Sequence, residues 1–231
     1  MIEAAFWAVV AASSLLLGAV VAERFNVPAR TVAQAMAFGA GALVAAVAYE
    51  LVPNARVDDL LIWFSFGAGA LIFYLADGFL EGRSAPSASS GGTAIALGAL
   101  LDGIPESVVL GMSVAQGGAV SVGFLVAVFV SNIPESLAST AEMRAAHPAR
   151  WVYMLWVGIV IASGLSAMLG YAAIVTLPGT DGRYVQALAG GAVLTMLTSS
   201  LIPQAYEDGG REVALLTALG FGIAAILTLL D

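Results

Sequence analysis

Two short stretches place carboxylic acids inside apolar segments of the chain. The first, residues 101–112, reads LDGIPESVVLGM and carries Asp102 and Glu106. Acids four residues apart lie one above the other on the same face of a helix. The second stretch, residues 131–136, reads SNIPES and places Glu135 29 positions after Glu106. Two helices with matching acids predict one shared polar site.

A proline precedes each of the two glutamates, Pro105 in the first stretch and Pro134 in the second. Proline has no N–H to donate and clashes with the carbonyl group four residues earlier, so it kinks a helix and leaves that carbonyl without its partner. We therefore expect the carbonyl oxygens of Leu101 and Val130 to be free to bind a ligand near the acids.

The composition is that of a membrane protein with several spans. The chain has 231 residues, of which 60% are hydrophobic and 10% charged, and its mean hydropathy is +0.96. Such values lie far outside the range of soluble domains. The absence of cysteine excludes disulfides and thiolate metal sites. A net charge of −8 gives no basic patch, so no nucleic-acid partner is expected.

Eight apolar runs are long enough to cross a bilayer, which takes ~20 residues. They lie near residues 4–22, 31–53, 60–80, 93–115, 119–141, 151–176, 185–205 and 213–230. The first run has no basic region before it, which predicts a retained span and not a signal peptide. Residues 81–92, EGRSAPSASSGG, resemble a flexible linker. The predicted fold is a single all-α transmembrane domain over residues 1–231.

Arginine alone sets the predicted orientation, because the chain contains no lysine. Cytoplasmic loops of membrane proteins carry an excess of positive residues. Six arginines fall on one side of the predicted topology and two on the other: Arg24, Arg30, Arg83, Arg144, Arg150 and Arg211 against Arg56 and Arg183. We therefore expect a multi-pass protein of the plasma (inner) membrane with both termini outside and the linker in the cytoplasm.

The second and seventh spans end in similar sequences. GALVAAVAYELVPNA at 41–55 and GAVLTMLTSSLIPQA at 191–205 share an initial Gly-Ala and a final Pro-Xaa-Ala. The two spans cross the membrane in opposite senses, as in the inverted repeats that many secondary transporters build around a midplane site. Spans rich in glycine and alanine also resemble one another by composition alone. The pattern predicts an inverted-repeat arrangement around a central pair of fourth and fifth helices.

Three acids near the middle of the membrane need a balancing charge. A carboxylate there costs ~2.5–3.5 kcal/mol, and no arginine lies within the predicted spans. A divalent cation or protonation would balance the acids, and a transport cycle can alternate between the two. The predicted metal ligands are oxygen atoms of Asp102, Glu106, Glu135, Ser131 and Asn132. An all-oxygen set favours Mn²⁺ or Mg²⁺, although Zn²⁺ and Fe²⁺ also accept carboxylates.

The paired Xaa-Pro-Glu motifs resemble those of the ZIP (Zrt/Irt-like protein) family of divalent metal transporters, in a divergent bacterial-type form. The fourth helix of that family carries His-Asn-Xaa-Pro-Glu-Gly, and the fifth carries His-Glu-Xaa-Pro-Glu/His-Gly/Glu. Here residues 102–107 read DGIPES and residues 131–136 read SNIPES. The eight spans and the Leu-Ile-Pro-Xaa-Ala ending of the seventh also fit, so the similarity covers nearly the whole chain. The resemblance implies zinc import into the cytoplasm and a homodimer.

The departures from the ZIP pattern are specific. Asp102 stands where the family has the histidine of its principal metal site, whereas both glutamates of that site are kept. A second site in the family uses an asparagine and an acid at positions that here are Gly103 and Asn132, and the sixth span holds no carboxylate. We therefore expect one metal site, with Zn²⁺ as the first expectation and Mn²⁺ or Fe²⁺ as alternatives. No organic cofactor is expected.

Four further residues are candidates for the ion pathway: Glu50, Ser107, Ser136 and Met112. Glu50 lies near the end of the second span, where it could line an entrance. Ser107 and Ser136 follow the two motif glutamates. Met112 is a weaker candidate for a soft ligand.

The residues leave three functional classes open. The first is a divalent cation transporter, and the second is a carrier of protons or other solutes, or a non-transporting relative whose acids form a protonated core cluster. The third, an intramembrane hydrolase, is disfavoured because no histidine lies in a span and no Gly-Xaa-Ser-Xaa-Gly motif occurs. We therefore predict that the chain is not an enzyme.

Overall fold

A computed structural model describes residues 1–52, 59–83, 91–117, 120–176 and 182–230. Within these ranges the chain is all-helical, and eight helices are long and apolar enough to cross a membrane, which confirms that prediction. They are α1 (Ile2–Arg24), α2 (Ala29–Leu51), α3 (Leu60–Arg83), α4 (Gly91–Ala115), α5 (Val122–Arg144), α6 (Ala149–Thr176), α7 (Arg183–Gly209) and α8 (Glu212–Leu230). The chain therefore has the architecture of a multi-pass membrane protein.

Parts of the predicted loops lie outside the described residues. They include Arg56 and most of the linker predicted at 81–92, and Pro53, the last residue of the predicted second span, also lies outside. The predicted start of the fifth span, residue 119, also lies outside them. In the described chain α5 begins at Val122, because the side chain of Ser121 caps the helix by accepting a hydrogen bond from the Phe124 N–H.

Two helices contain a π-helical segment, which ends α2 and lies within α7 eight residues before its end. In α2 the segment is Val47–Leu51, and in α7 it is Leu197–Leu201. The wider π-helical turn appears mostly as short insertions in α-helices, often at functional sites. The prolines of the two motifs interrupt no helix, because α4 and α5 remain α-helical through Pro105 and Pro134, whereas Pro203 of α7 lies two residues after the end of its π-helical segment.

The helices form two groups. In the first group α1 packs against α5 and α6, and α4 packs against α6. In the second group α2 packs against α8 and the end of α7, and α3 packs against α7. Contact between α2 and α5 is the most extensive link between the groups. Inside the first group Trp156 is fully buried and donates a 2.9 Å hydrogen bond from its indole nitrogen to the Thr140 hydroxyl.

Small residues allow the helices of the second group to approach closely. A Cβ on Gly41 of α2 would overlap the Thr217 carbonyl oxygen of α8, and a Cβ on Gly220 of α8 would overlap the Phe38 carbonyl oxygen of α2. Glycine at such crossings lets two backbones pack without a side chain between them, as is common in membrane helices.

The crossing of α3 and α7 has the same form. A Cβ on Gly191 would overlap the Phe66 carbonyl oxygen, and a Cβ on Gly69 would overlap the Leu188 carbonyl oxygen. In each of the two crossings, one glycine of each helix faces a carbonyl oxygen of the other helix. That carbonyl belongs to the residue three positions before the other helix's glycine.

Polar side chains mark the two faces of the helix bundle. We call the face with the described loop arginines Arg24, Arg30, Arg144, Arg150 and Arg211 the arginine face, and the opposite face, which carries the termini, the terminal face. On the arginine face, Arg144 of α5 pairs with Glu23 of α1, and Arg30 of α2 pairs with Glu212 of α8 at 2.9 Å. On the terminal face Arg183 lies 3.6 Å from Asp59.

Candidate functional site

The two proline motifs meet at one cavity in the first helix group. Its volume is about 10 Å³, and α4 and α5 supply its acids, Asp102, Glu106 and Glu135. A cavity needs ~10–15 Å³ to hold one water molecule. The space between the acids therefore accepts a single particle of water or ion size.

The three acids come together because each motif keeps its helical register. Asp102 and Glu106 are four residues apart on the continuous helix α4, so both point to the side where α5 carries Glu135. Glu106 is only 3% exposed, whereas the other two acids are half-buried. The predicted pairing of the motifs is thus present in the folded chain.

The acids lie close enough to interact with one another. Asp102 shares a side-chain hydrogen bond with Glu135. A hydrogen bond between two carboxyl groups requires a proton on one of them, because a carboxylate can only accept. Glu106 lies within electrostatic range of Glu135, and Asp77 of α3 lies within electrostatic range of Asp102.

Neutral groups complete the lining. Ser107 and Asn132 contribute oxygen atoms beside the acids, and Ser163 of α6 also lines the cavity. Alanines and a leucine of α1 cover the cavity with apolar surface: Ala8, Ala11, Ala12 and Leu15. None of the described residues that line it is basic. The negative charge of the acids is therefore not balanced by an arginine at the site.

Four predicted site residues lie away from the cavity. Ser131 donates to the Val128 carbonyl oxygen at 3.0 Å and packs against α2, and Ser136 donates to the Asn132 carbonyl oxygen at 2.8 Å. Glu50 lies in the π-helical segment of α2, and Met112 is buried near Gly182 at the terminal face. Of the predicted ligands, the cavity therefore brings together the three acids and Asn132, with Ser107 from the predicted pathway.

The described residues contain no group of three or more histidine, cysteine, aspartate or glutamate side chains already arranged to hold a metal ion. The acids share a cavity, but the hydrogen bond between Asp102 and Glu135 joins two of them to each other. A cation in this space would use fewer than three carboxylates in their present arrangement, together with amide and hydroxyl oxygens, or would require a carboxyl group to turn.

Sequence reasoning missed Ser163 and the role of α1. Ser163 and Ser166 are two buried serines in the middle of α6, and polar residues inside an apolar span are a usable signal. The alanines of α1 recur at helical spacing but carry no chemistry of their own. Gly103 lies beside Ser163, since a Cβ there would be 3.5 Å from the serine oxygen, which is an ordinary contact.

No protein-family model matches this chain, and a search of the curated proteins finds no significant match.

Proposed function

We propose that the chain is a carrier of divalent metal cations, with the ion bound as cargo between α4 and α5. The observation that carries the proposal is the cavity of about 10 Å³ lined by Asp102, Glu106 and Glu135. Acids at membrane depth without a basic partner are costly and usually mark an ion or proton pathway. A divalent cation offsets two of the three charges, and carboxylate, amide and hydroxyl oxygens are ligands that Mn²⁺, Mg²⁺ and Zn²⁺ accept.

The hydrogen bond between Asp102 and Glu135 gives the proposed carrier a chemistry for exchanging protons with cations. A cation that binds the oxygen atoms joined by this hydrogen bond would displace the shared proton, because the same lone pair cannot serve both. Loading the cavity would thus release a proton, and unloading it would take one up. The same groups support a transport cycle with two stages. Metal neutralises the acids in one stage, and protons neutralise them in the other.

An inverted repeat would supply the two-sided access that a carrier needs. Its support comes from matched positions 150 residues apart in α2 and α7. The π-helical segments Val47–Leu51 and Leu197–Leu201 match in this way, and so do Gly41 and Gly191 at the two glycine crossings. The reciprocal pairs at these crossings also agree residue by residue, since Phe38 corresponds to Leu188.

The motif resemblance to the ZIP family leads to the same proposal. That family would imply import of zinc through the site on α4 and α5, with Asp102 in the place of a histidine. Replacement of imidazole by a carboxylate removes the nitrogen ligand that favours Zn²⁺ and increases the fit to harder ions. The family precedent makes Zn²⁺ the first cargo that we propose, and the carboxylate at Asp102 makes Mn²⁺ and Fe²⁺ the alternatives.

The proposal is tested by uptake into proteoliposomes that contain the purified protein. Wild-type vesicles should accumulate at least one of Zn²⁺, Mn²⁺ and Fe²⁺, and Glu106→Ala and Glu135→Ala should each abolish uptake while the protein keeps its helical circular dichroism. Glu142→Ala is the matched control, because Glu142 is an exposed acid on the same helix as Glu135. Undiminished uptake in both cavity variants would refute the proposal.

A second candidate, a carrier of protons or of a proton-linked solute, is favoured by one observation. The acids pair with each other through a hydrogen bond and do not form a ready metal-binding group within the described residues. Such a carrier would acidify or alkalinise vesicles in response to a pH gradient with no metal present. Proton flux that is unaffected by chelators and lost in Asp102→Asn would favour it over the metal carrier.

A further inference from the structure

Helices α2 and α5 meet along a line of contact that we call the seam. The distance between the two helices varies along it. At mid-height Gly39 of α2 lies against Ser131 of α5, and a Cβ on this glycine would be 2.7 Å from the Cα atom of the serine. Neighbouring backbones can approach this closely only where one residue is glycine. The contact between α2 and α5 is therefore closed at its centre, four residues before Glu135 on α5.

A hydrogen bond closes the seam at the terminal face. The Ser121 hydroxyl donates to Oε1 of Glu50 at 2.6 Å, which is the length of a strong bond to a charged acceptor. The same hydroxyl accepts a hydrogen bond from the Phe124 N–H at 3.2 Å and so caps α5. Glu50 thus connects the π-helical segment of α2 to the first turn of α5.

Toward the arginine face the same two helices separate. A cavity of about 170 Å³ lies between them, lined on one side by residues of α2 such as Val32 and Met36 and on the other by Leu137 and Ala138 of α5. The last turns of α7 contribute Gln204 and Asp208 to its wall. The two helix groups therefore meet tightly near one face and leave space near the other.

We propose that the hydrogen bond between Glu50 and Ser121 is a latch that keeps the acid cavity closed to the terminal face. When it breaks, the first turns of α5 separate from α2, and the seam opens on the side of the termini. Glu50 is in this view a positioning residue, which acts through the Ser121 cap and does not touch the ion in the cavity. The inference rests on the proposed carrier function, since only a carrier needs the seam to open on that side.

The chain contains no cysteine, so the reactivity of a single introduced thiol can report on the opening of the seam. Ala127 is fully buried on α5 and lies four residues before Ser131, on the same face of the helix and nearer to the latch. The variant Ala127→Cys therefore places a single thiol under the latch. Its labelling rate with a membrane-impermeant methanethiosulfonate reagent would be measured from each face, in right-side-out and in inside-out vesicles.

The latch predicts slow labelling of Ala127→Cys while Glu50 and Ser121 are intact. Addition of Glu50→Ala or Ser121→Ala should raise the rate from the terminal face about 10- to 100-fold, the range expected when one hydrogen bond to a charged group is lost. Glu50→Gln retains a carbonyl oxygen that can accept from the serine, so its increase should be smaller. Labelling from the arginine face should not rise.

Two controls separate the latch from general loosening. Glu212→Ala removes a carboxylate that bonds Arg30 and Gln34 between α2 and α8, inside one helix group, and it should leave labelling unchanged. Ala189→Cys reports on a buried position of α7, which packs mainly against α3. It should stay unreactive in every variant.

Unchanged labelling of Ala127→Cys in both latch variants would overturn the proposal, and so would an increase that Ala189→Cys shares. The measurement needs no metal, so it is independent of the cargo. An open seam in a protein that takes up no cation would uphold the latch and refute the proposed cargo. Cation uptake with no change in labelling would refute the latch alone.

Discussion

Glu106→Gln isolates the contribution of one carboxylate to cation binding. Glu106 is the most deeply buried of the three cavity acids, at 3% exposure, and glutamine has nearly the same shape. The substitution therefore changes charge and leaves the cavity volume almost unaltered. Removing one partner from a buried, hydrogen-bonded charge pair costs about 2–5 kcal/mol. At about 1.4 kcal/mol for each factor of ten, cation affinity should fall roughly 30- to 4,000-fold.

The same substitution should not destabilise the protein in the absence of a cation. A carboxylate near the middle of the membrane costs about 2.5–3.5 kcal/mol, and glutamine removes that charge. The melting temperature of Glu106→Gln without metal should therefore equal or exceed that of the wild type. By contrast, a cation at a hundred times its Kd stabilises the wild type by about 2.7 kcal/mol, and this gain should disappear in the variant.

The assay is isothermal titration of purified protein in detergent with Zn²⁺, Mn²⁺, Fe²⁺ and Mg²⁺, together with thermal unfolding with and without each ion. Glu142→Gln is the matched control, because it removes an exposed carboxylate from α5 near the arginine face. The wild type and the control should bind about one ion per chain with equal affinity. Wild-type affinity in Glu106→Gln would refute the assignment of this carboxylate as a ligand.

Three further predictions follow from the same structure. Asp102→Asn removes one carboxyl group of the proton-sharing pair, so cation binding should release fewer protons than in the wild type, measured by titration in buffers of different ionisation enthalpy. Ser163→Ala deletes a hydroxyl at the cavity and should weaken cation binding about fivefold, the effect of one neutral hydrogen bond, whereas Ser166→Ala should not. Gly41→Ala forces a Cβ into the α8 backbone and should lower the free energy of unfolding by about 1–3 kcal/mol, whereas Gly67→Ala, at an open position, should not.

Each of these results has a clear contrary outcome. Equal proton release in Asp102→Asn and the wild type would show that cation binding does not release the proton shared by Asp102 and Glu135. Equal effects of the two serine substitutions would mean that Ser163 acts only through helix packing. Equal stability of the two glycine variants would mean that α2 and α8 can move apart without cost.

The helices could be predicted from the sequence because each one depends on the apolar composition of its own residues. About twenty consecutive apolar residues can satisfy their backbone only as a helix in a bilayer, whatever their neighbours are. The eight predicted spans therefore reappear as eight helices. The pairing of Glu106 with Glu135 was predictable for a related reason, since two copies of Ile-Pro-Glu-Ser on successive helices carry their acids in the same register.

Other features depended on how the helices pack. Ser131 and Asn132 are adjacent in sequence, and both were predicted ligands. Successive residues of a helix point about 100° apart, so the packing of α5 decides that Asn132 faces the cavity and Ser131 faces Gly39. The motif alone contains no information on which face of α5 meets which neighbour.

The sequence by itself determined that this is a membrane protein of eight helices with three acids on two neighbouring spans, because hydropathy and helical spacing are properties of the chain. The tertiary structure decided which groups share space. It brought Ser163 to the cavity from a helix that begins after the second motif, and it joined Glu50 to Ser121 across 71 positions. Such contacts follow from the packing of helices whose residues are distant in sequence, and no local sequence pattern predicts them.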